Sequence, residues 1–297
     1  GYNGGGIPFA YPPLGFYLAG LLADLGPWSL LEVFCYLPLV ANLLSIPAFY
    51  LLGRDLLDSR PVAVLATCAF VLLPGSFLWP IMGGGVTRAP GFTLAILAVG
   101  QIHRMYTRRA KRHVVAAMFL ASGAVLSHLA MGWLIAISAL LLFLAHGRSR
   151  VGSLLSLAVG AGVLGVTMPW WAVVVARHGI APFLAASRSP ESALAGLASL
   201  LMLNLTDEPL FPLLLALALV GFLVCLARKQ WLFPVWLVAL FLLDPRTART
   251  TAKPRSSAAS VGVWGSYLLW GALALGVLSA GSQVMASPFL RGRGSGR

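Results

Sequence analysis

The chain has 297 residues, of which 59% are hydrophobic and 10% charged, with a mean hydropathy of +0.88. A soluble domain carries about 25% charged residues, so this composition excludes an ordinary water-soluble globule of this size. The formal net charge of +13 does not indicate nucleic-acid binding, because the cations sit at the ends of apolar blocks, where membrane topology rules place them; anionic membrane lipid headgroups are the expected partner.

In chain order, a Gly- and Asn-rich opening leads into Pro8-Phe-Ala-Tyr-Pro-Pro-Leu-Gly-Phe-Tyr17, an extended entry to a short apolar segment over 14–25. Residues 1–29 are expected to be an external loop with a short amphipathic helix. Apolar blocks follow at about 30–52, 61–79, 90–103, 114–127, 129–145 and 151–172, which places the first six transmembrane helices within 30–178. Each crossing needs ~20 apolar residues. The stretch 114–145 is too long for one crossing and short for two, so it is divided at Ser127-His128. Residues 179–208 are read as an external interfacial or re-entrant helix. Ser189-Pro190-Glu191 supplies its cap, its first-turn Pro and an acid near the positive dipole end. Blocks at 209–227, 231–243 and 259–284 complete transmembrane helices within 209–284, and 285–297 form a basic tail.

Basic runs at Arg54…Arg60, Arg104–His113, Arg148/Arg150, Arg228/Lys229 and the tail then fall on one side, carrying fourteen of the 21 Lys and Arg. The positive-inside bias makes that side cytoplasmic. The expected class is all-α and polytopic, with about nine membrane-spanning helices in a plasma (inner) membrane. The first residue is outside and the last cytoplasmic. The short block 231–243 is the weak point of this scheme, because its failure to cross would invert everything after Asp244. Cys35, Cys68 and Cys225 lie within apolar blocks without ligand spacing and read as small hydrophobes.

The outer face then gathers Tyr11, Arg88, His128, Arg177, His178 and Arg246. Ionisable groups near membrane depth are costly and are functional candidates. Gly83-Gly-Gly-Val-Thr-Arg88-Ala-Pro90 reads as an external turn, serving as a flexible connection or, through backbone N–H groups and the Arg donor fork, as a phosphate cradle. It lacks the GxxxxGK[ST] pattern of a nucleotide P-loop. His128 is either a hydrogen-bonded turn residue or part of a site. Trp170 and Trp171 read as an interface belt, and the following Arg177-His178 pair suits either a lipid headgroup or a specific phosphate. Asp244-Pro-Arg246…Arg249…Lys253-Pro-Arg255 puts four cations on the face that should be poor in them: either the topology inverts after residue 230, or an anionic substrate on the outer face favours them. His128 and His178 lack a spaced third ligand for zinc.

These elements resemble the C-type (GT-C) membrane glycosyltransferases. The likeness rests on Tyr11-Pro-Pro-Leu14, Gly83-Gly-Gly-Val-Thr-Arg88, Leu126-Ser-His128, Pro169-Trp-Trp171 with Arg177-His178-Gly179, and Asp244-Pro-Arg246, in that order over residues 1–246. The resemblance implies sugar transfer from a polyprenyl-phosphate donor to an acceptor on the outer face. Tyr11 would line the acceptor side, and Arg88, Arg177, His178 and Arg246, with His128 at the edge, would hold the donor phosphate. An Asp in the first external loop is the general base of that family, and no acid lies between Gly1 and Tyr11. The catalytic Asp is therefore expected upstream of Gly1, and the chain as it stands is expected to be an inactive fragment. A divalent metal suits such chemistry, but the sequence shows no ligand set for one. The rival classes are a secondary transporter or lipid flippase, which calls for internal repeats and paired broken helices, and a non-catalytic membrane subunit.

Overall fold

The structure is a computed structural model and describes residues 10–57, 59–71, 77, 80–81, 85–187, 221–223, 225–227 and 229–243. Among the described residues all regular structure is helical. The helices are α1 (Leu14–Leu25), α2 (Leu30–Leu57), α3 (Arg60–Val71), α4 (Gly85–Arg108), α5 (Lys111–Ser127) and α6 (Leu129–Leu142), the last prolonged by a π turn over Phe143–Gly147. They continue with α7 (Arg150–His178), α8 (Ala181–Ser187) and α9 (Leu232–Leu243). Among the described residues, three stretches are long and apolar enough to cross a membrane: Leu30–Leu57, Leu129–Gly147 and Arg150–His178. They expose large apolar side chains such as Leu31, Leu43, Leu157 and Leu164, a surface suited to hydrocarbon and not to water.

Helix α2 starts on a capping box that the sequence carries as Ser29-x-x-Glu32. Glu32 Oε2 accepts from Ser29 N at 2.7 Å, and Ser29 Oγ accepts from Glu32 N at 3.3 Å, so two otherwise orphaned N–H groups are satisfied. Pro38 and Pro47 lie inside the same helix.

Helix α4 is the hub. Seventeen of its 24 residues are buried, among them Gly85, Ala89, Gly91, Ala95, Ala98 and Gly100. Small side chains let neighbouring backbones approach closely. A helix wrapped by protein need not be apolar all round, and α4 carries Thr87, Arg88, Thr93, Gln101, His103 and Arg104 where a lipid-facing helix would not. The core around it includes Phe49, Phe70, Phe92, Ile96, Val99, Met105 and Leu142. Phe49 stacks on Phe70 with ring centroids 4.5 Å apart.

Side-chain contacts fix the directions. Thr93 Oγ1 donates to Ala41 O at 2.7 Å, and Arg104 pairs with Asp55, so α2 and α4 run parallel. The chain reverses at Arg109-Ala110 and α5 returns antiparallel. Residues Ser127 and His128 meet α4 at Gly91, where an added Cβ would lie 3.2 Å from Ser127 Cβ and 3.3 Å from His128 Cβ. Helix α6 goes back along α4 until His146 meets His103, ring centroids 5.1 Å apart. The division at Ser127-His128 is therefore present as a one-residue break. The arms of 17 residues and of 14 plus five measure about 26 and 29 Å, close to the hydrocarbon thickness of ~30 Å.

Helix α7 begins on Ser149, whose Oγ accepts from Gly152 N at 3.0 Å, and it packs on α5 and the π turn. It includes Trp170 and Trp171 and runs six residues past the block 151–172, to His178. Helix α9 docks on α6 through Trp236 Nε1, which donates to Ser138 Oγ at 3.1 Å. At 12 residues it is about 18 Å long, which is short for a crossing taken alone. The helix start expected at Ser189, the block 259–284, the Asp244–Arg255 loop and the tail all lie outside the described residues. The short helix α8 falls within the 179–208 segment.

Candidate functional site

Among the described residues, polar side chains gather at two places separated along α4. Arg88 and Arg104 are sixteen residues apart on that helix, about 24 Å at the α-helical rise. The first end is built by three segments distant in sequence. Tyr11 precedes α1, Thr87 and Arg88 lie in the first turn of α4, and His128 is the break between α5 and α6.

Tyr11 is where they meet. Its hydroxyl is 3.2 Å from Thr87 Oγ1, and the Arg88 guanidinium lies close enough for the two groups to interact electrostatically. Either hydroxyl can be the donor between Tyr11 and Thr87, and the guanidinium beside them can only donate. The Tyr11 ring packs edge-on against His128, centroids 6.0 Å apart and planes at 83°, and against Phe16 at 5.8 Å. Tyr11 keeps 38% exposure while His128 keeps 6%, so the cluster is open at Tyr11 and buried at His128.

Local geometry explains the convergence. Pro90, the sixth residue of α4, has no N–H to give to the carbonyl of Val86. Helix α1 approaches that freed carbonyl at Gly15, where an added Cβ would lie 2.7 Å from Val86 O and 2.8 Å from Thr87 Cα. Only glycine allows this approach, and it brings Tyr11, one turn earlier, onto Thr87 and Arg88. His128 is held in extended backbone (φ −155°, ψ 118°). Its N–H donates to Ala124 O and its carbonyl accepts from Met131 N, both at 2.9 Å, which fixes where the ring points.

The expected external turn at Gly83–Pro90 is corrected in part. Residues 82–84 lie outside the described residues, but Arg88 is helical, in the first turn of α4. A phosphate near it would face the helix N-terminus and a guanidinium together, not a glycine-loop nest. Tyr11, Arg88 and His128 thus come together. Arg177 and His178 are exposed at the C-terminal end of α7, and Arg246 lies outside the described residues. Thr87 belongs to the cluster and was not singled out from sequence, although it adjoins Arg88.

The second end centres on Asp55, whose side chain is 5% exposed. It takes Arg104 through a short contact to Nε, Arg108 at 3.6 Å and Arg54 at 4.0 Å. Nearby, His113 Nδ1 and Gln101 Oε1 are 2.8 Å apart, and Tyr106 Oη and Ser156 Oγ are 2.7 Å apart. Burial pushes the His113 imidazole below its ordinary value, and Arg112, Arg108 and Arg104 push the same way against Asp55. Sequence reading took Arg54…Arg60 for a topological charge run. The signal missed was one acid placed opposite Arg104 and Arg108, which are four residues apart and share a face of α4.

Among the described residues no three His, Cys, Asp or Glu side chains form a cluster fit for a metal ion. Comparison with known proteins finds no matching family model, no matching curated protein and no matching solved structure.

Proposed function

We propose that this chain is the membrane-embedded body of a glycosyltransferase that uses a polyprenyl-phosphate sugar at the extracytoplasmic face. About nine crossings would carry it, with its first residue outside and its last in the cytoplasm. The observation that carries this reading is the convergence of Tyr11, Arg88 and His128 at one end of α4. A cation, a phenol and an imidazole there meet an open side, beside lipid-facing helices.

The chemistry suits a lipid-linked phosphate. The Arg88 guanidinium offers planar, multidentate donation to phosphate oxygens. The first-turn N–H groups of α4 add partial positive charge. Breaking a sugar–phosphate bond leaves negative charge on the departing phosphate, and donors fixed beforehand stabilise it without reorganisation. Tyr11 lies exposed beside Arg88, where an acceptor hydroxyl would arrive. Arg177, His178 and Arg246 are further candidates for the same headgroup.

The test is binding of a polyprenyl-phosphate hexose to the protein in lipid nanodiscs. Arg88→Gln is expected to weaken binding by about tenfold or more, since hydrogen bonds to charged groups contribute about 1.5–3 kcal/mol. Tyr11→Phe should weaken it less. Unchanged affinity in Arg88→Gln removes the phosphate site, and with it this reading.

A further inference from the structure

The Asp55 end holds more cation than its own acid can use. Arg104 is largely covered and committed to Asp55, with side-chain exposures of 15% and 5%. Arg108 is 51% exposed at the rim, and Arg109, Lys111 and Arg112 beside it are exposed. Arg109 turns the chain with φ at 52°, in the left-handed region that a non-glycine residue rarely adopts. The backbone thus accepts strain to bring the next helix straight back.

That helix, α5, opens with Lys111-Arg112-His113, and its N-cap Ala110 supplies no side-chain cap. Cations at the positive end of a helix dipole are unfavourable; three basic residues in one uncapped first turn are the reverse of the usual arrangement. His113 is 6% exposed. Its Nδ1 is bound to Gln101, while its Nε2 is buried without a hydrogen-bond partner among the described residues. A negative group at this corner would answer the exposed cations and the uncapped first turn together.

Below the cations lies an apolar track. Val115 and Phe119 are 50% and 57% exposed, and with Lys111 they fall at i, i+4 and i+8, one face of α5. A free phosphate has no use for such a track, and an acidic protein segment would leave it uncovered. A lipid with an anionic head and acyl chains matches both parts.

We infer that the α4–α5 corner is a binding site for an anionic phospholipid, its phosphate held by Arg108, Lys111, Arg112 and the first turn of α5, its acyl chain along Val115 and Phe119. This assignment is independent of the sugar-transfer reading, since the two sites lie at opposite ends of α4.

The full chain in mild detergent, titrated with short-chain phosphatidylglycerol, phosphatidylcholine or inorganic phosphate, tests it. Bound lipid is counted by native mass spectrometry and thermal stabilisation is followed in parallel. The expected result is retention of phosphatidylglycerol over phosphatidylcholine. Affinity should fall about fivefold for each of Lys111→Gln and Arg112→Gln, with little change in Arg148→Gln, an exposed cation at the same end. Val115→Ser/Phe119→Ser should weaken the lipid without creating any preference for inorganic phosphate. Equal retention of the two lipids, equal losses in Arg148→Gln, or full stabilisation by inorganic phosphate alone would each overturn the proposal. Thermal unfolding of every variant without added lipid separates loss of binding from loss of fold.

Discussion

Replacing Asp55 by Asn is the sharpest test of how α2 and α4 are held together. The carboxylate is 5% exposed and its main partner, Arg104, is 15% exposed, so little solvent screens the pair. Removing one partner of a buried pair leaves the other charge uncompensated, at a cost of about 3–5 kcal/mol. Three arginines would then face one another without an acid, which keeps the expectation near the lower figure only because Arg108 and Arg54 can turn towards water. A loss of about 3 kcal/mol shifts the folding equilibrium by roughly a hundredfold. The contacts to Arg54 and Arg108 are long, at 4.0 and 3.6 Å, and their side chains are 39% and 51% exposed. Substituting either with Gln is expected to cost less than about 1 kcal/mol. The assay is unfolding in mixed micelles titrated with dodecyl sulfate and followed by tryptophan fluorescence. Asp55→Asn/Arg104→Gln should recover much of the loss, because the stranded charge is gone. If Asp55→Asn is no worse than Arg54→Gln, or the double variant no better than Asp55→Asn alone, the carboxylate does not tie the helices and the reasoning fails.

Two further outcomes are expected. Gly15→Val would place Cβ 2.7 Å from Val86 O and 2.8 Å from Thr87 Cα, both backbone atoms. Overpacking of this kind costs about 1–3 kcal/mol and should displace Tyr11, lowering thermal stability and donor binding together. Gly20→Val, with nothing within 4 Å of its added Cβ, serves as the comparison and should leave binding unchanged. For His113 the folded imidazole is held below its ordinary value by burial and by Arg112, Arg108 and Arg104. The unfolded chain therefore takes the proton first, and stability is lost as pH falls below about 6.5. Thermal scans between pH 7.5 and 5, conditions of the test, should show a decline in the native protein that is flatter in His113→Gln; identical slopes would mean that His113 does not titrate against these arginines.

The sequence by itself determined the helical, strongly apolar character of the described part and where most of its helices fall. Long apolar blocks with charges confined between them leave no chain-length alternative to helices in lipid, since every backbone polar group must be satisfied within its own segment. The break at Ser127-His128 was legible for the same reason. The number of apolar residues from 114 to 145 suits neither one span nor two ordinary ones, and charge at both ends requires a reversal. The candidates Tyr11, Arg88 and His128 were legible as polar residues at expected helix ends.

Only the tertiary structure decided which of them meet. Nothing in the spacing of residues 11, 88 and 128 says that they share one corner. That follows from Gly15 on a carbonyl freed by Pro90, and from Gly91 against Ser127 and His128. The hub role of α4 was likewise hidden, because small and polar residues in a hydropathy pattern look like a weaker span, and only neighbours on every side turn them into a packed centre. Asp55 was invisible as a centre, since a carboxylate among arginines reads as one more surface charge until folding brings Arg104 across from it and removes the water between them.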